Sequence, residues 1–375
     1  MNLKKLVRRI HLWLGLLSGI IVFILGITGC IYAFIDEIKP LVYADRYFIT
    51  PIEKERLPVS QLLRSAQNEY SANKPVSAIE IFNSKDRSLR FRAYRESTNE
   101  GVWYWDRKYY YESVFIDPYT GEVVAKENSE FEFFRIILYL HWSLLLSNEI
   151  GQPIVGIATI IFIISLVTGL ILWKPKNKNA ARQRYWFRWK STTKWRRKNY
   201  DLHNITGFYA MVFMLMIGLT GLIWAFSWFD DSVQWLANAG RTYESPPPVF
   251  SDTSGSKSDI PMDIIFDSVS LRHKDAEAYH IYLPVSKQGV INVLIKTQPV
   301  YDNVTEQYDQ YNGKLLKSHE FSEKNTGEAL RSLNYDIHTG SILGIAGKVL
   351  AFFASLIAAS LPVSGFLIWW GRNKG

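Results

Sequence analysis

Residues 8–34 read RRIHLWLGLLSGIIVFILGITGCIYAF, and residues 202–226 read LHNITGFYAMVFMLMIGLTGLIWAF. Shifted by 192 positions, His11 falls on His203, Gly15 on Gly207, Gly26 on Gly218, Thr28 on Thr220 and Gly29 on Gly221. Ile31, Ala33 and Phe34 then meet Ile223, Ala225 and Phe226. The pattern H-x3-G … G-x-T-G-x-I-x-A-F occurs twice with one internal spacing, and such a repeat governs every later inference about fold.

The repeat extends beyond these stretches. DPYTGEVV from Asp117 matches DQYNGKLL from Asp309 at the same shift. TGLILW (Thr168–Trp173) resembles SGFLIW (Ser364–Trp369) at a shift of 196, and LHWSLLL with His141 resembles IHTGSIL with His338 at 197. The chain therefore reads as two copies of one unit: apolar helix, polar block, histidine, apolar helix. With two spans per unit the copies share an orientation, which implies an axis along the membrane normal.

The mean hydropathy of −0.04 averages long apolar runs with polar blocks. Four runs reach the roughly 20 residues that cross a bilayer: Ile10–Ile35, Pro153–Trp173, Phe208–Phe229 and Ile342–Trp370. Pro362 and several small residues predict a kink or a loose start in the fourth. The first is too long for a signal-peptide core and lacks a small-x-small cleavage site, so it reads as an uncleaved helix. A single cysteine, Cys30, excludes an internal disulfide and any CxxC site.

Charge orients the spans. Lys4, Lys5, Arg8 and Arg9, the segment 174–200 and the tail after Gly371 hold 17 Lys/Arg and no Asp/Glu. The remainder holds 26 basic and 35 acidic residues. The positive-inside rule places both termini and the loop KPKNKNAARQRYWFRWKSTTKWRRK in the cytoplasm, and the polar blocks outside. Lying between two spans, that loop reads as a membrane-hugging segment facing anionic lipid, with no nucleic-acid partner.

The expected fold is a membrane all-α four-helix bundle of two tandem pseudo-symmetric repeats with two extracytoplasmic α+β domains. The divisions are 1–36 (first span), 37–140 (first outer domain), 141–174 (outer histidine and second span), 175–202 (basic loop), 203–229 (third span), 230–337 (second outer domain) and 338–375 (outer histidine and fourth span). In the first outer domain, VSQLLRSAQNEY has helical spacing, and AIEIF, SLRFRAY and VWYWDRKYYYESVFIDP read as strands. DPYTGEV forms a strand-joining turn with Gly121 at positive φ. MDIIFDSVSLRH, AYHIYLP, VINVLIKT and QYDQYNGKLL repeat the scheme, and SPPPVFSDTSGSKSD reads as a flexible entry linker.

Four of the seven histidines lie at span ends, two per repeat. His11 and His203 share the inner depth, and His141 and His338 the outer one. Paired imidazoles across a pseudo-twofold in an apolar setting point to haem iron with two axial histidines, which favours electron transfer. Gly15 and Gly207, and deeper in Gly26, Gly29, Gly218 and Gly221, would let a bulky ring approach the backbone. His11 to Gly29 spans about 27 Å at 1.5 Å per residue, so two haems would occupy opposite leaflets. Without CxxCH they would be two non-covalent b-type haems. Zinc or copper at the outer pair lacks carboxylate or thiolate partners. Arg135, close to His141, is a candidate partner for a haem propionate, as are Arg8 and Arg9 on the inside. His273, His280 and His319 lack counterparts in the first block and read as ordinary strand or surface histidines.

These residues resemble a known family. R-x-x-H-x-x-x-G opening the first span, the TG near its outer end, DPYTGEV and LHWSLL are similar to the PepSY-associated transmembrane proteins, also called iron-regulated membrane proteins. The resemblance spans essentially the whole chain, with DQYNG in place of DPYTG in the second half. It implies a bacterial inner-membrane protein with two periplasmic PepSY-like domains and b-type haems. Its implied activity is that of a transmembrane haem-dependent oxidoreductase that reduces a ferric siderophore and releases Fe(II) for iron uptake. No GxGxxG follows a strand, so the electron donor would be a membrane quinol or another protein such as a cytoplasmic reductase.

Competing expectations are reduction of another outside acceptor, and a regulatory or binding role without redox activity. A transporter is disfavoured because the spans are read as lacking embedded charged side chains. GVWYWDRKYYY (Gly101–Tyr111) offers aromatics beside Arg107 and Lys108 for an anionic chelate, although a strand packed on its sheet explains it as well.

Overall fold

A computed structural model describes residues 3–97, 100–243, 246–254, 261–297 and 303–373. The helices are α1 (Leu3–Tyr32), α2 (Ile35–Val42), α3 (Ala44–Tyr47), α4 (Val59–Asn68), α5 (Phe133–Ser143), α6 (Asn148–Trp173) and α7 (Lys178–Tyr185). They continue with α8 (Trp195–Ala225), α9 (Ser227–Ala237), α10 (Met262–Arg272), α11 (Thr326–Ser332), α12 (Asn334–Thr339) and α13 (Gly344–Asn373). The strands are β1 (Ala78–Phe82), β2 (Leu89–Glu96), β3 (Lys108–Ile116), β4 (Val123–Asn128), β5 (Ala278–Tyr282), β6 (Val290–Lys296), β7 (Val304–Asp309) and β8 (Leu315–His319).

Four helices, α1, α6, α8 and α13, are long and apolar enough to cross a membrane. A helix is the natural solution there, because lipid offers no partner for an unpaired backbone amide or carbonyl. They pack in a ring in which α1 meets α6 and α13, and α8 meets α6 and α13. Leu166, Ala210, Met214 and Ala354 form the mid-bundle core. Leu17, Ile20, Val212 and Phe353 face outward, as lipid solvation requires.

Two expectations about the spans change, and the loose start of the fourth is met. α8 begins at Trp195, well before Phe208, and ends at Ala225. α13 continues through Pro362, and the loose start is a short 3-10 turn at Ser341–Leu343. A charge does lie within the fourth run: Lys348, 7% exposed, pairs with Asp36 at 3.1 Å and Glu37 at 2.8 Å. The partners stand on α2, outside the spans, so Lys348 reads as a tether near the helix end.

The two polar blocks share one antiparallel sheet of eight strands, ordered β4-β3-β2-β1-β5-β6-β7-β8. Each block contributes four strands, and β1 pairs with β5 at the seam, with Glu80 opposite His280. One face carries Ile79, Ile81, Phe91, Ile281, Ile291 and Val293, all essentially inaccessible, and packs beneath α4 and α10 through Leu62, Met262 and Ile265. Neither half is closed without the other, because β1 and β5 would each become an exposed edge.

The repeat is visible in the turns. Asp117 Oδ1 accepts from the Tyr119 and Thr120 amides, and Asp309 Oδ1 from those of Tyr311 and Asn312. Gly121 has φ +75° and Gly313 φ +72°, a backbone that glycine adopts at least cost. The stretch 102–118 is only partly strand: a 3-10 turn, Tyr104–Arg107, precedes β3. Within the expected linker, Ser251 is buried and donates to the Gly289 carbonyl, while the Asp252 amide donates to Asp309. Linker residues 245 and 255–259 lie outside the described residues.

α5 and α12 connect each half-sheet to the following span. The Glu132 carboxylate caps α5 by accepting from the Phe134 and Arg135 amides, and pairs with Lys39 at 2.7 Å. α5 then reverses through Leu144 and Leu145, both left-handed at φ 57° and 63°. In the second copy Gly340 (φ 80°) and Gly344 (φ 62°) make the turn. Gly151 sits against Ser143 and Gly347 against Gly340. The histidines align at a shift of 197 and these glycines at 196, so the odd residue is absorbed in the reversal.

Candidate functional site

Each histidine pair meets across the bundle. The rings of His11 on α1 and His203 on α8 have centroids 6.3 Å apart, their planes at 81°. Those of His141 on α5 and His338 on α12 are 6.1 Å apart at 77°. The pseudo-twofold thus yields two near-identical pairs, one near each end of the bundle.

Each ring is held by the neighbouring helix. His11 Nδ1 lies 3.0 Å from Thr168 Oγ1 and 3.0 Å from the Ser165 carbonyl. His203 Nδ1 is 2.9 Å from Ser364 Oγ. His141 Nδ1 is 2.9 Å from Thr28 Oγ1, and His338 Nδ1 is 2.9 Å from Thr220 Oγ1. Among the described residues, Nε2 of these four rings has no hydrogen-bond partner, which leaves it as the nitrogen open to a ligand.

Each pair lines a cavity. The cavity at the sheet end of the bundle, termed outer for that position alone, is about 440 Å³ and is walled by His141, His338, Trp142, Trp224, Gly29 and Gly221. The inner one, about 830 Å³, is walled by His11 and His203 with Lys5, Arg8, Arg9 and Arg372. Both fall in the range of roughly 300–1,000 Å³ usual for small-molecule sites. Val22 and Phe162 line both cavities and form part of the wall between them.

The glycines divide by role. Gly15 and Gly207 line the inner cavity, and a Cβ at Gly15 would meet nothing within 4 Å. Gly29 and Gly221 lie against the Cε1 atoms of His141 and His338. Gly26 serves helix packing as well: a Cβ there would come within 2.7 Å of the Ala359 nitrogen and the Ser355 oxygen of α13. Gly218 faces the Ile163 side chain of α6.

Arg135 does not line the outer cavity. Its guanidinium lies 4.8 Å from both the Tyr111 and the Tyr139 ring centroids and donates to the Tyr139 hydroxyl. The aromatic stretch is likewise packed: Tyr104 stacks on Tyr139 at 4.4 Å, Arg107 pairs with Glu149 at 2.8 Å, and Lys108 bonds Tyr94 and Glu96. His273 contacts Glu306 at 3.0 Å, His280 faces Glu80 and His319 ends β8.

Sequence reasoning marked Thr28 and Thr220 only as repeat positions and gave the hydroxyls of Thr168 and Ser364 no role. The signal was present as a Ser/Thr-Gly dipeptide on each of the four spans.

Among the described residues no group of three or more His, Cys, Asp or Glu side chains converges as a metal cage. Each site supplies two imidazoles and an apolar slot, a donor set that suits a metal whose remaining ligands travel with it. The model of the PepSY-associated TM region matches residues 8–372, and the chain belongs to that family. No curated protein matches it.

Proposed function

We propose that this PepSY-associated membrane protein holds two b-type haems, each between two histidines. We further propose that it moves electrons across the membrane to reduce a ferric chelate, of the siderophore class, on the side of the sheet. The observation that carries the reading is the ring spacing of 6.3 and 6.1 Å in two symmetry-related pairs. Two metal–imidazole bonds of about 2 Å each, added to the radii of two five-membered rings, separate the centroids by roughly 6 Å.

When bound, haem would supply reversible one-electron iron chemistry, and holding it by two histidines would favour electron transfer over oxygen binding. His11 and His203 would hold the inner group through Nε2, and His141 and His338 the outer one. Lys5, Arg8, Arg9 and Arg372 give the inner cavity a cationic rim suited to propionate carboxylates. Val22 and Phe162, which line both cavities, place apolar side chains between them. Each Fe(III) reduced outside takes one electron, supplied by a quinol or a protein donor on the inner side. Fe(II) is the softer ion, and a hard oxygen-donor chelate releases it more readily. The charge asymmetry of the chain supports an inner position for the basic loop and both termini.

A reduced-minus-oxidised visible spectrum of the detergent-purified chain, with a haemochrome count, tests the reading. A b-type α band with about two haems per chain is expected. A fully inserted but colourless protein would overturn it and favour a binding or regulatory role.

A further inference from the structure

We infer that Thr28, Thr168, Thr220 and Ser364, each followed by glycine, are positioning residues that select Nε2 of the four histidines as the metal-binding nitrogen. The inference rests on the reading of the pairs as axial ligands.

The argument is an accounting of protons. A hydroxyl has one proton to donate. Thr28 donates it to the Ile24 carbonyl at 2.7 Å, Thr168 to Ile164 at 2.9 Å, Thr220 to Met216 at 2.8 Å and Ser364 to Ser360 at 2.9 Å. With that proton committed along its own helix, the oxygen faces the ring only as an acceptor. In that arrangement Nδ1 carries the ring proton, and Nε2 keeps its lone pair. The other tautomer would require each hydroxyl to turn its proton from the helix carbonyl to Nδ1, and at His11 it would also set the Nδ1 lone pair against the Ser165 carbonyl oxygen at 3.0 Å.

The following glycine sets the depth of the ring. A Cβ at Gly169 would lie 3.2 Å from His11 Cε1, and one at Gly365 would lie 3.3 Å from His203 Cε1. At Gly29 and Gly221 the corresponding distances to His141 and His338 are 3.5 and 3.6 Å. One dipeptide thus orients the ring through its hydroxyl and leaves room for it through its missing side chain. The same device appears four times, twice in each repeat, with Thr168 and Ser364 at the inner pair and Thr28 and Thr220 at the outer pair. That recurrence argues against chance helix packing. The clamps also tie the bundle together, because α1 and α8 carry the inner histidines and also hold the outer ones.

Partners of this kind fix the tautomer and tune ligand basicity, and removing one typically costs about 10–100-fold in metal affinity or activity. The test uses the full-length protein and two variants of one clamp. Thr28→Val keeps the branched shape and removes the hydroxyl, whereas Thr28→Ser keeps the hydroxyl. Thr28→Val is expected to shift the midpoint potential and α band of the outer centre and weaken its haem retention about 10–100-fold. The inner centre stays unchanged, and Thr28→Ser restores wild-type behaviour. Thr168→Val should do the converse. If Thr28→Val matches the wild type in potential and spectrum, the inference falls.

A second readout needs no haem. In the ¹⁵N spectrum of the histidine-labelled full chain, the four rings should show protonated Nδ1 and unprotonated Nε2. The Nε2–H form would overturn the inference even in a coloured protein. A colourless protein with Nδ1–H rings would sink the haem reading and still uphold the role of the hydroxyls.

Discussion

Glu80 of β1 and His280 of β5 face each other across the seam between the half-sheets, 3.9 Å apart and in register. Arg92 at 3.2 Å and Arg90 at 3.7 Å complete the cluster around Glu80. Burial alone would raise the Glu80 pKa, but Arg92 and Arg90 override it and hold the carboxyl at about 2. Burial is also the main influence on His280 and pushes it down to about 4, against the smaller opposing pull of Glu80.

The seam therefore carries a pH dependence. A histidine with a folded pKa below its unfolded value destabilises the fold as the pH falls. The penalty is absent above about 6.5, grows below it and is complete near 4, on the order of 3 kcal/mol. The Glu80 contribution is present above its unfolded value near 4.5 and is lost only as the pH falls through about 2. Thermal unfolding of wild type and His280→Gln between pH 7 and 4 separates the two groups. The variant is expected to lose less stability over that window, and parallel curves would refute the assignment.

The α5–α6 reversal sets the position of His141. A Cβ on Gly151 would clash with the Ser143 carbonyl oxygen, which is backbone and cannot step aside. Gly151→Ala is expected to spread the reversal and lower stability by about 1–3 kcal/mol, the usual scale of overpacking. The outer spectral signal should weaken while the inner one persists. An unchanged spectrum and melting point would count against this geometry.

Helix contact at Gly26 is a separate matter. A Cβ there meets both the Ala359 nitrogen and the Ser355 oxygen at 2.7 Å, so Gly26→Ala should push α1 from α13. A loss of about 1–3 kcal/mol is expected. Gly371→Ala, whose Cβ would meet only Arg196 Nε at an ordinary 3.8 Å and which lines neither cavity, serves as the neutral control in the same melting experiment.

The two histidine pairs should be separable. Under the proposed dihaem reading, His141→Ala is expected to halve the haem count, leave the inner centre spectrally intact and abolish reduction of an outside ferric chelate. His11→Ala should remove the inner centre instead. Loss of both centres in either variant would mean that the pairs are not independent sites.

Much of this was legible from spacing alone. His11 and His203 could be paired because a repeat at 192 residues is visible in a string of letters. The spans followed from apolar length, and the Asp117 turn from a glycine at the position needing positive φ. Arg135 was placed with His141 because it is close in sequence, but six residues along a helix do not put two side chains on one face. It turns to Tyr111 and Tyr139 instead. Lys348 was missed because a run judged by its average conceals a single charge whose partners stand on another helix.

The sequence by itself determined the number of spans, the repeat and the four histidines, because hydropathy and periodicity are local properties of the chain. The tertiary structure alone decided that the two polar blocks share one sheet, since β1 and β5 lie about 200 residues apart. It also decided which hydroxyl meets which ring: Thr28 reaches His141 across 113 positions and Thr168 reaches His11 across 157. Helix packing sets those pairings, and hydrogen bonds between helices depend on depth and rotation that no single segment encodes.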